Sequence, residues 1–459
     1  VLFSLFQFHL SLIILNFNNT EAIPLSMKKF FLFITCISLL ASCIEEVDLG
    51  IEADDEVLKI LIIEATLTNE LKNHTVALSR MDTLVDLGID SVYNPYTPIR
   101  DINRDLVRYE TNATVSIENS NGTTYSFNES SPGIYESDIQ FAAEMGNSYQ
   151  LSIVTSDGKK YTSTDMEIEG LASISNIYAE KTTSESGAEG IGIFVDNTVE
   201  TGNVQNLRYT YDETYKIIAP NWVPNDFKLT NYDPCALPVV TYDLEIIERE
   251  EEQQICYGNN LSNSIIQARQ SNLGKDNIKK FMVRFIDKQN FIISHRYSIE
   301  VTQLVSGSTS YSFYDQLNNF SQTGSIFSQV QPGFLEGNLS SDDGRQGSVI
   351  GFFDVVSVSK NRLFFNYSDF YADEELPPYP FNCSELTAPE SHDSFCLSGP
   401  RGPNPCPQSV IQQVDLNLIS YVKPNVNEGR CQGPHIFVPK ICGDCTVLGS
   451  NVEPAFWVE

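Results

Sequence analysis

Thr114-Val115-Ser116-Ile117-Glu118-Asn119-Ser120-Asn121-Gly122-Thr123-Thr124-Tyr125-Ser126-Phe127 alternates apolar and polar side chains on both sides of an Asn-Gly pair. A period of two puts Val115, Ile117, Tyr125 and Phe127 on one face of a pleated ribbon, and Asn-Gly tolerates the left-handed backbone that a tight turn demands. The spacing predicts a β-hairpin closed by a type I′ turn. The pattern recurs downstream, where Tyr149, Leu151 and Ile153 alternate up to Asp157-Gly158 and Tyr161 resumes beyond it. Upstream, Leu61 to Leu67 and Thr75 to Leu78 read as strands, and Pro132-Gly133 reads as a further turn ahead of Ile134 and Tyr135. No helical periodicity competes, so residues 55–180 read as an N-terminal immunoglobulin-like β-sandwich.

Working outward, residues 181–190 are rich in Ser, Thr, Glu and Gly and read as a linker. Residues 191–459 read as a larger β-rich domain with one or two short helices. Its expected strands are Ile193 to Val195, Tyr209 to Ile217, Phe281 to Ile286, Tyr297 to Val301, Val349 to Phe353 and Arg362 to Tyr367. Phe313, Leu317 and Phe320 recur at helical spacing with Gly324 just beyond, which predicts an amphipathic helix. Glu248 to Glu252 reads as a solvated loop in a disulfide-closed excursion between Cys235 and Cys256. Residues 376–407 carry eight prolines and three cysteines, too many for regular structure, and read as a long cross-linked surface loop.

Toward the N-terminus, Met27-Lys28-Lys29 precedes an apolar run from Phe30 to Leu40 and then Leu40-Ala41-Ser42-Cys43. A basic start, a short apolar stretch and small residues before a break form a secretory signal, too short for the ~20 residues that span a bilayer. A cysteine directly after Leu-Ala-Ser resembles the bacterial lipobox, whose cysteine becomes the lipidated first residue. Cys43 is therefore the expected lipidation site, Met27 the expected start, and residues 1–42 an upstream segment plus signal peptide. Residues 43–54 then form an acidic tether. The acidic stretch Glu45-Glu46-Val47-Asp48 resembles the signal that sends Bacteroidota lipoproteins to the outer face of the outer membrane.

The whole chain carries 60 Asp+Glu against 29 Lys+Arg over 459 residues, a formal charge of −31, with 41% hydrophobic residues. It is too apolar for a disordered acidic tail and too acidic to grip a phosphate backbone, which excludes nucleic acid as an expected partner. Cys235, Cys256, Cys383, Cys396, Cys406, Cys431, Cys442 and Cys445 remain once the signal and the lipidated residue are set aside. An even number in an exported chain predicts disulfides, in a connectivity that sequence cannot choose. Cys442-Gly443-Asp444-Cys445 has the spacing of a redox or zinc motif, but its glycine-flanked, strand-like setting favours ordinary bridges.

Several stretches, taken in order, carry a family resemblance. They are Ile63-Glu64-Ala65-Thr66-Leu67-Thr68-Asn69-Glu70 with His74 to Arg80; Gly133-x-Tyr135 and Asp157-Gly158-Lys159; and Gly337-Asn338-Leu339 with Val349-Ile350-Gly351-Phe352-Phe353 and Ser357-Val358-Ser359. The closing Cys442-x-x-Cys445 and Gly449 to Trp457 complete the set. The chain resembles the Bacteroidota outer-membrane lipoproteins grouped as domain-of-unknown-function family 4249, over essentially its whole mature length. The resemblance implies a partnership with TonB-dependent transporters, beside which such lipoproteins are commonly encoded, and it implies no catalytic residue. Cysteine content exceeds the usual pattern of the family.

The sequence carries no nucleophile elbow, Walker loop, dinucleotide fingerprint or helical histidine pair, and no cofactor is expected. Asp342-Asp343-Gly344 reads as a β-turn. Aromatic residues cluster around the proline-rich loop, and Phe370, Tyr371 and Tyr379 are the expected partner-contact residues. Asp82-Thr83-Leu84 and Asp90-Ser91-Val92 resemble O-glycosylation sequons of the same phylum. The expectation is a non-enzymatic surface lipoprotein, anchored to the outer membrane by lipid, that serves a TonB-dependent barrel as accessory or substrate-capturing component. A structural or adhesive surface protein is the alternative, and a cryptic hydrolase the third reading.

Overall fold

A computed structural model describes residues 60–80, 108–202, 204–269, 278–322, 335, 337–342, 344, 349–398, 406–427 and 429–459. Cys43, the signal, the tether, both O-glycosylation patterns, Gly324 and Asp343 lie outside the described residues, as do 399–405 of the proline-rich loop. The fold is mainly β. In chain order the strands are β1 (Leu61–Thr68), β2 (Thr75–Arg80), β3 (Arg108–Tyr109), β4 (Thr114–Asn119), β5 (Thr124–Ser131), β6 (Ile134–Ser137), β7 (Ser148–Val154), β8 (Lys160–Ser163), β9 (Met166–Glu167), β10 (Gly170–Thr183) and β11 (Glu189–Gly202). There follow β12 (Asn206–Ile218), β13 (Asn225–Asp233), β14 (Thr241–Glu248), β15 (Ile255–Leu261), β16 (Ile266–Arg269), β17 (Phe281–Asp287), β18 (Arg296–Ser306), β19 (Leu339–Ser341), β20 (Val349–Asn366), β21 (Ile419–Pro424) and β22 (His435–Pro439). One longer helix, Ser308–Gln322, stands where the apolar spacing of Phe313 and Leu317 predicts it.

The deciding hairpin forms, with Val115 opposite Phe127 and Ile117 opposite Tyr125. Its turn is not type I′. Among the described residues the non-glycine positions at positive φ are Asn112, Asn231, Lys280 and Asn417, so Asn121 does not adopt the left-handed backbone that type I′ needs. Instead the Asn119 N–H donates to Thr123 O at 3.0 Å and the Gly122 N–H to Asn119 O at 2.9 Å, leaving a three-residue loop with Gly122 at φ +82°. Asn119 Oδ1 fixes this choice by accepting from the backbone N–H of both Asn121 and Thr123. The same loop recurs at Thr155–Lys159 with Gly158, and again at Ser184–Ala188 with Gly187. The third copy overturns the expected linker: residues 181–190 are the tip of the β10–β11 hairpin. A run of Ser, Glu and Gly has the composition of a linker and of a turn alike, and here long strands flank it.

Strands β1 to β9 lie on one hydrogen-bonded path, β1-β2-β6-β5-β4-β7-β8, with β3 and β9 paired at its margins. The strands of this region are thus linked in a single path, in which two separate sheets of the expected immunoglobulin-like arrangement are not distinguished. Leu61, Ile63, Val76, Ile117, Leu151, Ile153 and Tyr161 nonetheless share one core, so the path curls until strands far apart along it face each other. A second core lies between the sheet β10-β11-β17 and the inner faces of β12 and β18, built from Ile191, Ile193, Val195, Tyr209, Tyr297 and Ile299.

Strand β20 joins the two regions. Residues 349–356 pair parallel with β1, and residues 357–366 pair antiparallel with β18. Sequence patterning suggested two separate strands here because the middle, Ser357 to Asn361, is polar; that is where the strand changes partner. Two cores therefore share one sheet, and the described residues form one compact unit rather than two parted at 181–190.

Candidate functional site

The long ribbon β13–β14 runs with Leu229 opposite Leu244. Phe227 and Leu244 from this ribbon pack on a small third core of Ala388, Val410, Ile419 and Phe437. These residues come from the proline-rich loop, the short helix Val410–Asp415 and the hairpin β21–β22. So few apolar residues cannot order such a segment alone, and covalent cross-links take over. All eight expected cysteines are bridged, as Cys235–Cys396, Cys256–Cys445, Cys383–Cys442 and Cys406–Cys431. Cys442 and Cys445 thus go to different partners, which leaves neither redox nor zinc chemistry to the motif. Cys235 and Cys256 likewise do not close the excursion on each other.

Charge ties the parts of this module to one another. Asp226 Oδ2 lies 2.9 Å from Lys440 Nζ and 3.0 Å from Arg249 Nη2, while Asp226 Oδ1 accepts from the Tyr421 N–H. Arg249, expected in a solvated loop, has a side chain only 4% exposed because its guanidinium reaches back to Asp226. Tyr242 donates to Glu390 at 2.9 Å, and His435 Nε2 lies 3.4 Å from the other oxygen of that carboxylate.

The aromatic contact candidates are placed differently from expectation. Tyr371 is buried, packed on Tyr367 at 4.9 Å with Lys181 Nζ 4.5 Å from its ring centroid. Phe370 and Tyr379 are half-buried against the second core. Tyr379 donates to Ile441 O at 2.8 Å, and burial pushes its phenol up to about 12. Neighbouring carboxylates suggested exposure, but the rings turn inward where their area removes most apolar surface from water.

One group of exposed apolar side chains lies elsewhere, at the tip of the ribbon. Leu237 is 62% exposed, Val239 67%, Phe395 47% and Leu397 41%. The Cys235–Cys396 bond and a hydrogen bond from the Phe395 N–H to Pro234 O at 2.9 Å hold these two segments side by side. His392 stacks on Phe395 at 4.4 Å and shares a 2.6 Å hydrogen bond with Tyr232. The cross-link thus sets four exposed apolar side chains on two adjacent segments. Sequence reading missed Leu237 and Val239; Pro234 and Pro238 beside Cys235 were the available signal.

A groove of about 1370 Å³ crosses the outer faces of β1, β20, β18 and β12, with the helix Ser308–Gln322 as one wall. Glu70 pairs there with Lys72 and Lys360, each at 2.7 Å. Arg208 and Tyr314 line the groove, the guanidinium sitting over the ring at 4.1 Å, and behind them the fully buried Asp354 accepts from Ser310 at 2.6 Å and lies 3.4 Å from Arg208. Burial raises the Asp354 carboxyl above its ordinary range despite Arg208 and Ser310. Among the described residues, no group of three or more His, Cys, Asp or Glu side chains is placed to hold a metal ion, and no helix is long and apolar enough to cross a membrane.

The profile of a family described as Domain of unknown function (DUF4249) matches residues 44–362. The match stops short of the closing segment Cys442 to Trp457, on which the sequence resemblance also rested, and leaves six of the eight bridged cysteines beyond it. No curated protein matches the chain.

Proposed function

From the premise that this chain belongs to the family of domain of unknown function 4249, we propose that it is a lipid-anchored outer-membrane protein facing the cell exterior. In this reading it serves a TonB-dependent barrel as an accessory or substrate-capturing component, by binding rather than by catalysis. The observation that carries the proposal is the cross-linked apolar tip of Leu237, Val239, Phe395 and Leu397. The shift of contact from Tyr371 and Tyr379 to this tip keeps the expected module and changes the residues within it. A stable complex would bury at least about 1,200 Å², for which the tip supplies the apolar centre and the flanks of the module the polar rim.

The lipobox reading of Cys43 and the acidic residues behind it support the location. Metabolic labelling with a fatty-acid analogue should mark the wild type and not Cys43→Ala, and protease added to intact cells should cleave the labelled protein. The tagged protein, purified in mild detergent, should bring a TonB-dependent barrel with it. Absence of any barrel would overturn the transport reading and favour a structural or adhesive one.

A further inference from the structure

We propose that a second cleft, between β12, β15 and β17, binds a neutral, hydroxyl-rich ligand of sugar-like chemistry. The cleft encloses about 590 Å³ and is lined by Tyr211, Glu213, Asn259, Asn260, Asn263 and Arg284, with Leu261 on its rim. This volume lies within the range of sites that hold small ligands. The inference stands whether or not the chain works beside a barrel.

Strand pairing builds the site. β12 and β15 run antiparallel with Glu213 opposite Asn260, so that amide is set beside the Glu213 carboxylate, whereas the Asn259 amide, opposite Thr214, donates to Asp212 and Thr214 on the other face. Arg284 comes from the facing sheet, and its Nε and Nη2 each donate to Glu213 at 3.2 Å. Tyr297 donates to Glu213 at 2.6 Å and Asn260 Nδ2 at 3.4 Å. The Glu213 side chain is 3% exposed whereas Arg284 is 27% exposed, so the carboxylate is the fixed base and the guanidinium lies toward the opening. The Tyr211 ring lies 5.5 Å from the guanidinium carbon, which limits the positions that Arg284 can adopt.

The chemistry of the lining selects the ligand class. Glu213 neutralises Arg284, and the chain as a whole carries −31, so a phosphate or carboxylate gains little from entering. The amides of Asn260 and Asn263 offer donors and acceptors in equal measure, the combination that neighbouring hydroxyl groups satisfy. Leu261, 69% exposed on the rim, offers an apolar surface to the C–H face of a ring. Replacing a buried ion pair by packed apolar residues is often neutral or stabilising, so tying two sheets together does not by itself call for one at the mouth of a cleft.

The test is titration calorimetry of the full chain with maltose, cellobiose, chitobiose and mannobiose, beside inorganic phosphate and glucuronate. At least one neutral disaccharide should bind saturably, and the double variant Asn260→Ala/Asn263→Ala should weaken it at least tenfold without shifting the melting temperature. Both asparagines are exposed, so the core is untouched; Leu261→Ala gives an independent variant at the rim and should weaken binding as well. Binding by none of the four sugars, tighter binding of phosphate or glucuronate, or undiminished binding by the folded variants would overturn the proposal.

Discussion

Cys256 and Cys445 are joined across 189 residues of chain, which fastens the closing segment onto β15. Beside that bond Tyr257 and Ser450 exchange backbone hydrogen bonds at 2.8 and 3.0 Å, so the segment covers an edge strand that would otherwise offer its N–H and C=O groups to another chain. Replacing both cysteines by alanine should cost about 2–5 kcal/mol in denaturant unfolding under oxidising conditions. A non-reducing peptide map should recover the four pairs given above. A Cys442–Cys445 peptide, or free thiols at two or more of the eight positions, would contradict this connectivity.

The two turn glycines Gly122 and Gly133 should respond differently to alanine. Both have positive φ, but an added Cβ meets nothing within 4 Å at Gly122, whereas at Gly133 it would lie 2.6 Å from Leu78 O. Gly122→Ala should therefore cost about 1–2 kcal/mol, the strain of the left-handed backbone. Gly133→Ala should cost clearly more, since the clash also disturbs the 2.8 Å bond from the Leu78 N–H to Gly133 O. Equal losses in urea unfolding would argue against the close packing of this turn on β2.

Local rules made the hairpins legible, because a period of two and a glycine at the turn act within a few residues. The turn type was not legible: it depends on where the Asn119 side chain places its oxygen, and that moves the loop by one residue. Composition could not separate a linker from the tip of β10–β11, nor reveal that β20 continues through its polar middle while exchanging β1 for β18. The candidate site was legible only as a region. Phe370, Tyr371 and Tyr379 are directed inward by the second core, and the segments that carry Leu237 and Phe395 are joined by the Cys235–Cys396 disulfide spanning 161 residues, a matter of topology that no local pattern encodes.

His74 should make the protein less stable in mild acid. Burial lowers its pKa below the ordinary 6.5, outweighing the hydrogen bond that its Nε2–H donates to Phe141 O at 2.9 Å. Above pH 6.5 the ring is neutral in both folded and unfolded chains and stability is full. As the pH falls through 6.5 the unfolded chain takes up the proton first, so stability declines until the folded ring also titrates. His435 and His295, also lowered by burial, act in the same direction. Unfolding of the wild type and of His74→Gln should be compared between pH 7.5 and 5.5, and the variant should show the smaller loss. Identical slopes would mean that His74 keeps its ordinary pKa in the fold.

The contact made by the apolar tip is the central claim, and site-specific photo-cross-linking tests it most directly. A photoreactive side chain at position 237 or 395, in cells expressing the full chain, should yield an adduct with a TonB-dependent barrel, while the same group at position 371, buried against Tyr367, should not. Leu237→Asp/Phe395→Asp should abolish co-purification of the barrel and leave the melting temperature unchanged, since both side chains are exposed. Adducts from the tip with no barrel among them, or a barrel retained in full by the double aspartate variant, would contradict the account.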